Sequence, residues 1–393
     1  MVKNILKFLL IGAIIMLNSL SEINAQLSDE AKISILTSSP GKRLYATFGH
    51  TAIRVNDPIN EIDMIFNYGT FDFNTQYFYL KFARGKLNYT LTIETFEHFY
   101  EEYKYHERSI WEQVLSLSQI EKDNLYNALI INALPENRYY LYDFFYDNCA
   151  TRVRDMITNN LASPIKFHLP SHLEKLTFRN CIATYLEKSP WIKLGLDLIL
   201  GKPTDSLVNE NTIQFLPDYL MSSFEVTNRE NSHIPIVEST TTIYESDQYT
   251  KKSFFSPLKI LVILCLLVFL ISVYDFRKNK CSKWLDILLF TTVGLLGLLI
   301  IFLWFFTNHQ VTGPNWHILW ANPLLIILLF LKKYNSFFKY LIGIIFGLQI
   351  YCLIFFATFK QYIPFELIPI WVMMIIRIFL KFTEVRHFHV KRK

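Results

Sequence analysis

The chain has 393 residues, 51% of them hydrophobic, with 39 Lys and Arg against 34 Asp and Glu and a net charge of +5. It is too long for one ordinary domain and too apolar for an all-soluble protein, so two parts are expected. The charge excludes a nucleic-acid reading. From Pro257 onward there are about 15 basic and about 4 acidic residues, so the first part is acidic, and the basic excess sits where loops between membrane spans account for it.

Lys3 and Lys7 precede an apolar core over residues 8–17 and a polar stretch ending at Ala25. These are the three regions of a secretory signal peptide, so 1–25 is expected to be removed and the segment after Ala25 to be exported. Residues 26–160 read as an α+β domain. A helix is expected over 28–36, strands over 45–55 and 62–71 as an antiparallel hairpin, and further strands over 87–93 and 110–115. Ser118 and Glu121 form a capping-box pattern opening a helix that Pro135 limits, with a short strand next over 139–142. Residues 161–225 predict a helical extension broken by prolines, and the polar stretch 226–257 a tether.

Residues 258–393 predict a membrane domain with five apolar runs, over 258–274, 284–306, 318–331, 340–359 and 365–380. Basic residues (Arg277, Lys278, Lys280, Lys283; Lys332, Lys333, Lys339; the tail from Lys381) fall in alternate connections. The positive-inside rule puts those in the cytoplasm and the acidic domain outside, together with the loop 307–317. No His-Glu-x-x-His or Cys-x-x-Cys pattern occurs, so no metal and no cofactor are expected.

Cys149 stands where a strand-like aromatic run breaks at Asp147-Asn148 and a helix begins. Backbone N–H groups and the helix dipole at such a place favour a thiolate and can hold an oxyanion. A cysteine nucleophile needs a base. His50 follows Gly49 at a strand start, whereas His98 and His106 lie in a charged stretch and His168 and His172 flank Pro170. Cys149 with His50 is the set that forms a thiolate–imidazolium pair. The competing reading is structural: a core histidine, and a disulfide between Cys149 and Cys181, the other exported cysteine.

Three segments, Phe48-Gly49-His50-Thr51-Ala52-Ile53-Arg54-Val55, Phe66-Asn67-Tyr68-Gly69-Thr70-Phe71 and Tyr146-Asp147-Asn148-Cys149-Ala150-Thr151-Arg152, resemble the motif set of the Lnb N-terminal periplasmic domain family. That family is similar to circularly permuted papain-like (NlpC-like) enzymes, in which histidine precedes cysteine. Pro190-Trp191, Gly195-Leu196-Asp197-Leu198 and Phe215-Leu216-Pro217 resemble its helical part, and Thr307-Asn308-His309 with Asn315 and Trp320-Ala321-Asn322-Pro323 its membrane half; His317 stands where a smaller polar residue is expected.

The resemblance implies a permuted papain-like periplasmic domain followed by an all-α bundle of about five transmembrane helices in the bacterial inner membrane. It also implies a lipoprotein N-acyltransferase whose partners are a phospholipid acyl donor, a lipoprotein acceptor and the membrane. Carried onto this chain, Cys149 is the nucleophile, His50 the base and Asn67 the residue that orients the imidazole. Asp143, Tyr146, Asn148, Arg152 and Tyr68 are expected to line the substrate site, with His309 and Asn315 reaching it from the membrane loop. For Asn148 a helix cap, and for Arg152 an ion pair with Asp155, are the plainer alternatives. The runner-up activity is a membrane-tethered cysteine peptidase or amidase acting on cell-wall peptides; a non-catalytic scaffold is the third.

Overall fold

The structure, a computed structural model, describes residues 26–168, 173–230, 234–246, 256–331 and 336–390. The signal peptide expected over 1–25 lies outside them. Seven strands make one sheet: β1 (Lys32–Ser38), β2 (His50–Asp57), β3 (Ile62–Thr70), β4 (Asn88–Thr95), β5 (Ile110–Leu115), β6 (Tyr139–Leu141) and β7 (Val237–Tyr244). Their order is β6-β4-β3-β2-β1-β5-β7, with every neighbouring pair antiparallel.

Seven helices accompany the sheet among the described residues: α1 (Phe78–Ala83), α2 (Phe96–Tyr105), α3 (Gln119–Ala133), α4 (Cys149–Thr158), α5 (Phe178–Ala183), α6 (Pro190–Ile199) and α7 (Pro217–Glu225). The strand period of two sorts the core onto two faces. Ile33, Ile35, Ile53, Val55 and Phe66 pack against Leu125 and Leu129 of α3, Val153 and Ile157 of α4, and Leu220 and Phe224 of α7. Leu36, Ala52 and Ile65 point the other way, onto Phe99 and Tyr103 of α2.

Two elements differ from the sequence reading. Residues 28–36 predict a helix, yet β1 runs through the middle of the sheet between β2 and β5. Both its faces are covered and all but its first residue are buried, so it lacks the alternation that marks a half-buried strand. The stretch 226–257 predicts a tether, yet it contains β7, paired with β5. As an edge strand, β7 exposes most of its residues and has a polar Val-Glu-Ser-Thr-Thr-Thr-Ile-Tyr sequence. Its β-branched threonines favour extended backbone all the same.

The helical second part comprises α8 (Pro257–Lys278), α9 (Lys283–Phe305), α10 (Leu324–Phe330), α11 (Ser336–Phe355) and α12 (Ile368–Val390). Among the described residues three helices are long and apolar enough to cross a membrane, Pro257–Lys278, Lys283–Phe305 and Phe337–Phe355, where the sequence predicts five spans. The third expected run is a shorter apolar helix, Trp316–Phe330, broken where Asn322-Pro323 precede α10. It packs tightly on α9. A Cβ at Gly297 would stand 1.9 Å from the Ala321 carbonyl oxygen, so only glycine allows the approach.

The fifth run, α12, carries Arg377 and Lys381. Arg377 is fully buried, with Nε 2.8 Å from Asp286 Oδ1 and Nη1 2.7 Å from Asp275 Oδ2; Lys381 Nζ reaches Asp286 Oδ2 at 3.0 Å. Two cations and two carboxylates thus balance among α8, α9 and α12. Buried charges persist in an apolar bundle when every partner is present.

Hydrogen bonds join the two parts. Gly201 N–H donates to Val311 O (2.8 Å), Lys202 N–H to Pro314 O (2.8 Å) and Tyr362 N–H to Asp205 Oδ2 (3.0 Å). Behind this joint Arg179, 3% exposed, is paired with both Asp197 and Asp205.

Candidate active site

The start of α4 is set by Asn148. Its Oδ1 accepts from the N–H groups of Ala150 (2.8 Å) and Thr151 (3.0 Å), and Thr151 Oγ1 accepts from Asn148 N–H in return (2.8 Å). Cys149 therefore occupies the first helical position, 8% exposed. The backbone N–H groups of Thr51, Ala150 and Cys149 itself favour the thiolate electrostatically, although Ala150 N–H donates to Asn148 Oδ1. Thr51 follows His50 at the start of β2, so the cysteine helix is seated against the strand that carries the histidine. Gly69 of β3 lies against the cysteine, its φ of +86° a left-handed conformation that favours glycine, and a Cβ there would make ordinary contact with Cys149 Cβ at 3.5 Å.

His50 Nε2 lies 2.5 Å from Asn67 Oδ1 on β3. Asn67 Nδ2 donates to Glu94 Oε1 on β4 (2.9 Å), and Glu94 Oε2 lies 2.6 Å from His98 Nδ1 on α2. This chain assigns the proton positions. A carboxylate only accepts, so the Asn67 amide turns its NH₂ to Glu94 and its oxygen to His50. His50 Nε2 must then be the N–H, which leaves Nδ1 with a free lone pair.

Burial pushes His50 down to about 4, helped by the positive charge of Arg108 and opposed by the bond to Asn67. Burial pushes the Cys149 thiol up, against the three N–H groups and Arg108, which favour the thiolate. Both directions favour neutral groups at rest, a thiol at Cys149 and an imidazole at His50, where the sequence predicts an ion pair. Desolvation penalises both charges and outweighs the helix start. Arg108 is itself buried: Nε donates to Ser39 O (2.8 Å), Nη2 to Ser38 Oγ (3.0 Å), and its guanidinium lies 4.5 Å from the centre of the Tyr103 ring.

A family model described as the Lnb N-terminal periplasmic domain matches residues 23–181, and one described as the Lnb transmembrane domain matches residues 249–387. The chain belongs to the Lnb family. It is a membrane protein with a periplasmic portion. No match was found among curated proteins or among solved structures. The match to the periplasmic Lnb domain ends at residue 181, whereas the fold runs on through α7 and β7, which complete its core and its sheet.

Several residues expected to line the Lnb site are committed elsewhere. Asn148 Nδ2 donates to Phe144 O (2.6 Å) and Phe215 O (2.7 Å), so this amide is a helix cap with no donor left for an oxyanion. Asp143 Oδ1 accepts from the N–H groups of Phe145 and Tyr146 and folds the loop. Tyr68 is buried, its hydroxyl donating to Asn132 Oδ1 (2.6 Å). Arg152 grips Asp147 through Nε (2.5 Å) and Nη2 (2.7 Å), not Asp155, which pairs with Arg154. Tyr146 is partly exposed, its ring against Phe178.

The membrane loop holds the domain. His309 Nε2 donates to Ala83 O (3.2 Å) behind α1, and Asn315 is fully buried, with Nδ2 donating to Leu198 O (2.9 Å) and Oδ1 accepting from Gln361 Nε2 (3.0 Å). Cys149 and Cys181 are both free thiols in separate clusters, so the disulfide alternative is not formed. Glu94, His98 and Glu102 bring three ligand atoms within 4.8 Å of one another, but Glu94 already serves Asn67 and His98.

Sequence reasoning misses Glu94 and Arg108. Neither lies in a motif. Strand pairing puts Glu94 opposite Ile65, and Arg108 meets Ser38 and Ser39 because β5 pairs with β1.

Proposed function

We propose that this Lnb protein is a thiol acyltransferase of the bacterial inner membrane, with a permuted papain-like domain on the periplasmic side and about five spans. It moves a fatty acyl chain from a phospholipid, through a Cys149 thioester, to the N-terminal amine of the diacylglyceryl-cysteine of a lipoprotein. The observation that carries this reading is the Glu94–Asn67–His50 chain, which leaves His50 Nδ1 unprotonated at the start of the strand on which the Cys149 helix packs. Cys149 acts as nucleophile, His50 as base and then acid, and Asn67 as the residue that holds the imidazole.

In the first half-reaction His50 Nδ1 takes the thiol proton as Sγ bonds to the carbonyl carbon of a phospholipid ester. The Cys149 N–H meets the oxyanion, since Asn148 already accepts from the next three N–H groups of α4. Collapse breaks the ester C–O bond, the leaving alkoxide takes the proton from His50, and a lysophospholipid departs. In the second, the lipoprotein amine bonds to the thioester carbon and gives a proton to His50. The C–S bond then breaks and the thiolate regains that proton. A pair that is neutral at rest suits this cycle, because no buried charge has to be held between turnovers.

Intact mass of the full chain after incubation with phospholipid vesicles tests the reading. A fatty-acyl adduct on Cys149 that disappears when a diacylglyceryl-cysteine peptide is added is expected. An unmodified thiol that cleaves cell-wall peptides would establish an amidase instead.

Glu94→Ala frees the Asn67 amide to rotate, and with it the His50 tautomer. Loss of that one hydrogen bond corresponds to about a tenfold drop in the acylation rate constant. Glu94→Gln keeps an acceptor oxygen and should retain most of the rate in a single-turnover assay.

A further inference from the structure

Helix α1, Phe-Tyr-Leu-Lys-Phe-Ala, has no buried residue. With the loop before it, it exposes Phe73, Tyr77, Tyr79 (80%), Leu80 (55%) and Phe82. Six residues cannot hold a helix by propensity alone, and an apolar patch of this kind calls for a cover.

The surroundings of α1 say what covers it. Asn308 N–H donates to Arg84 O (2.9 Å), His309 donates to Ala83 O, and Gly85 packs against His309. Asn308 lies just beyond Phe305, where α9, a helix able to cross the membrane, ends. Phe305 and Phe306 are themselves exposed there. The patch is thus tied to the mouth of a span, at the level where hydrocarbon gives way to headgroups. Aromatic side chains concentrate at that level, and Lys81, Arg84 and Lys86 in and after α1 suit lipid phosphates.

From α1 an unbroken run of touching aromatic rings leads inward, through partly buried Phe78 and Phe71 to buried Tyr89. Phe78 lies 5.8 Å from Phe71, Phe71 lies 5.2 Å from Tyr89, and Tyr89 stacks on Tyr142 at 4.4 Å, all between ring centres. Tyr142 reaches within 3.6 Å of the Cβ position of Gly69, whose nearest neighbour is Cys149.

We infer that α1 is a membrane-surface element, sunk in the periplasmic leaflet of the bilayer that the helices span, and that the Phe71–Tyr89–Tyr142 track guides the acyl ester of a leaflet phospholipid to Cys149. The second half of this inference rests on the acyltransferase reading; the first does not.

The test uses the full chain in phosphatidylethanolamine–phosphatidylglycerol vesicles, with the photo-crosslinking residue p-benzoylphenylalanine at Leu80 or, as control, at Ile59. Ile59 is also exposed but lies in the β2–β3 turn, at the opposite end of β3 from α1, roughly 30 Å away along the strand. A phospholipid-sized mass added at position 80 and not at 59 is expected. Leu80→Glu and Phe82→Glu should each slow loading of Cys149 from vesicle phospholipid at least about tenfold, by opposing insertion. No lipid adduct at 80, or equal adducts at both positions, would overturn the membrane placement. Unchanged loading in both glutamate variants would overturn the delivery role. Cross-linking from position 80 in the benzoylphenylalanine variant, with a wild type that never acylates Cys149, would remove the acyltransferase reading and still support α1 at the bilayer.

Discussion

Cys149→Ser is expected to abolish transfer, lowering the rate by at least about 10⁴-fold, without unfolding the domain. The substitution is nearly isosteric, and the Asn148 cap that starts α4 does not depend on the side chain at 149. Chemistry fails for a different reason. Burial already holds the thiol above its ordinary value and the His50 base down at about 4, so proton transfer from sulfur to nitrogen is uphill even for cysteine. A thiolate is the better anion to form in a desolvated site, and the Arg108 charge helps it. An alkoxide, several pH units more basic, is out of reach of so weak a base. Intact mass should show no acyl adduct on the serine variant, while its thermal unfolding in detergent stays close to wild type. A serine variant that transfers acyl chains would remove Cys149 from the mechanism.

The parts of the fold that were legible share a physical cause. The strands β2 and β3 form the expected hairpin, β4 alternates buried with more exposed residues, and α3 opens with the Ser118–Glu121 capping box found in its sequence. β1 and β7 escaped for opposite reasons. One is buried on both faces and reads as an apolar run; the other is an edge strand that reads as a polar linker. In the membrane part, α12 carries charges whose partners, Asp275 and Asp286, stand about a hundred residues earlier, a pairing that no local pattern reveals. The candidate site divides in the same way. Cys149, His50 and Asn67 lie in segments with distinctive local sequence, and the structure puts His50 and Asn67 in direct contact. Glu94 and Arg108 act on them only through strand pairing. Conversely Asn148, Tyr68, Asp143 and Arg152 owe their place in those segments to capping, packing and loop closure. A motif marks the residues that build a site together with those that do its chemistry.

His50→Ala removes the only base that the Asn67 chain orients and is expected to cost about 10³-fold in Cys149 acylation at pH 7. The pH profile separates this role from a structural one. In the wild type the neutral imidazole is the active form, and it prevails above a pKa of about 4. Acylation should therefore be nearly flat from pH 5 to 8 and fall about tenfold for each unit below 4, as Nδ1 becomes protonated. In His50→Ala that acid limb disappears. The residual rate then follows the thiolate fraction and rises about tenfold per unit toward a pKa that burial holds above the ordinary value of 9.0. The two profiles converge at high pH, where hydroxide does the work of the base. A uniform loss at all pH values, with the acid limb kept, would show that His50 merely packs against Tyr103. Partial recovery on adding free imidazole would identify the missing group as the one that accepts the Cys149 proton.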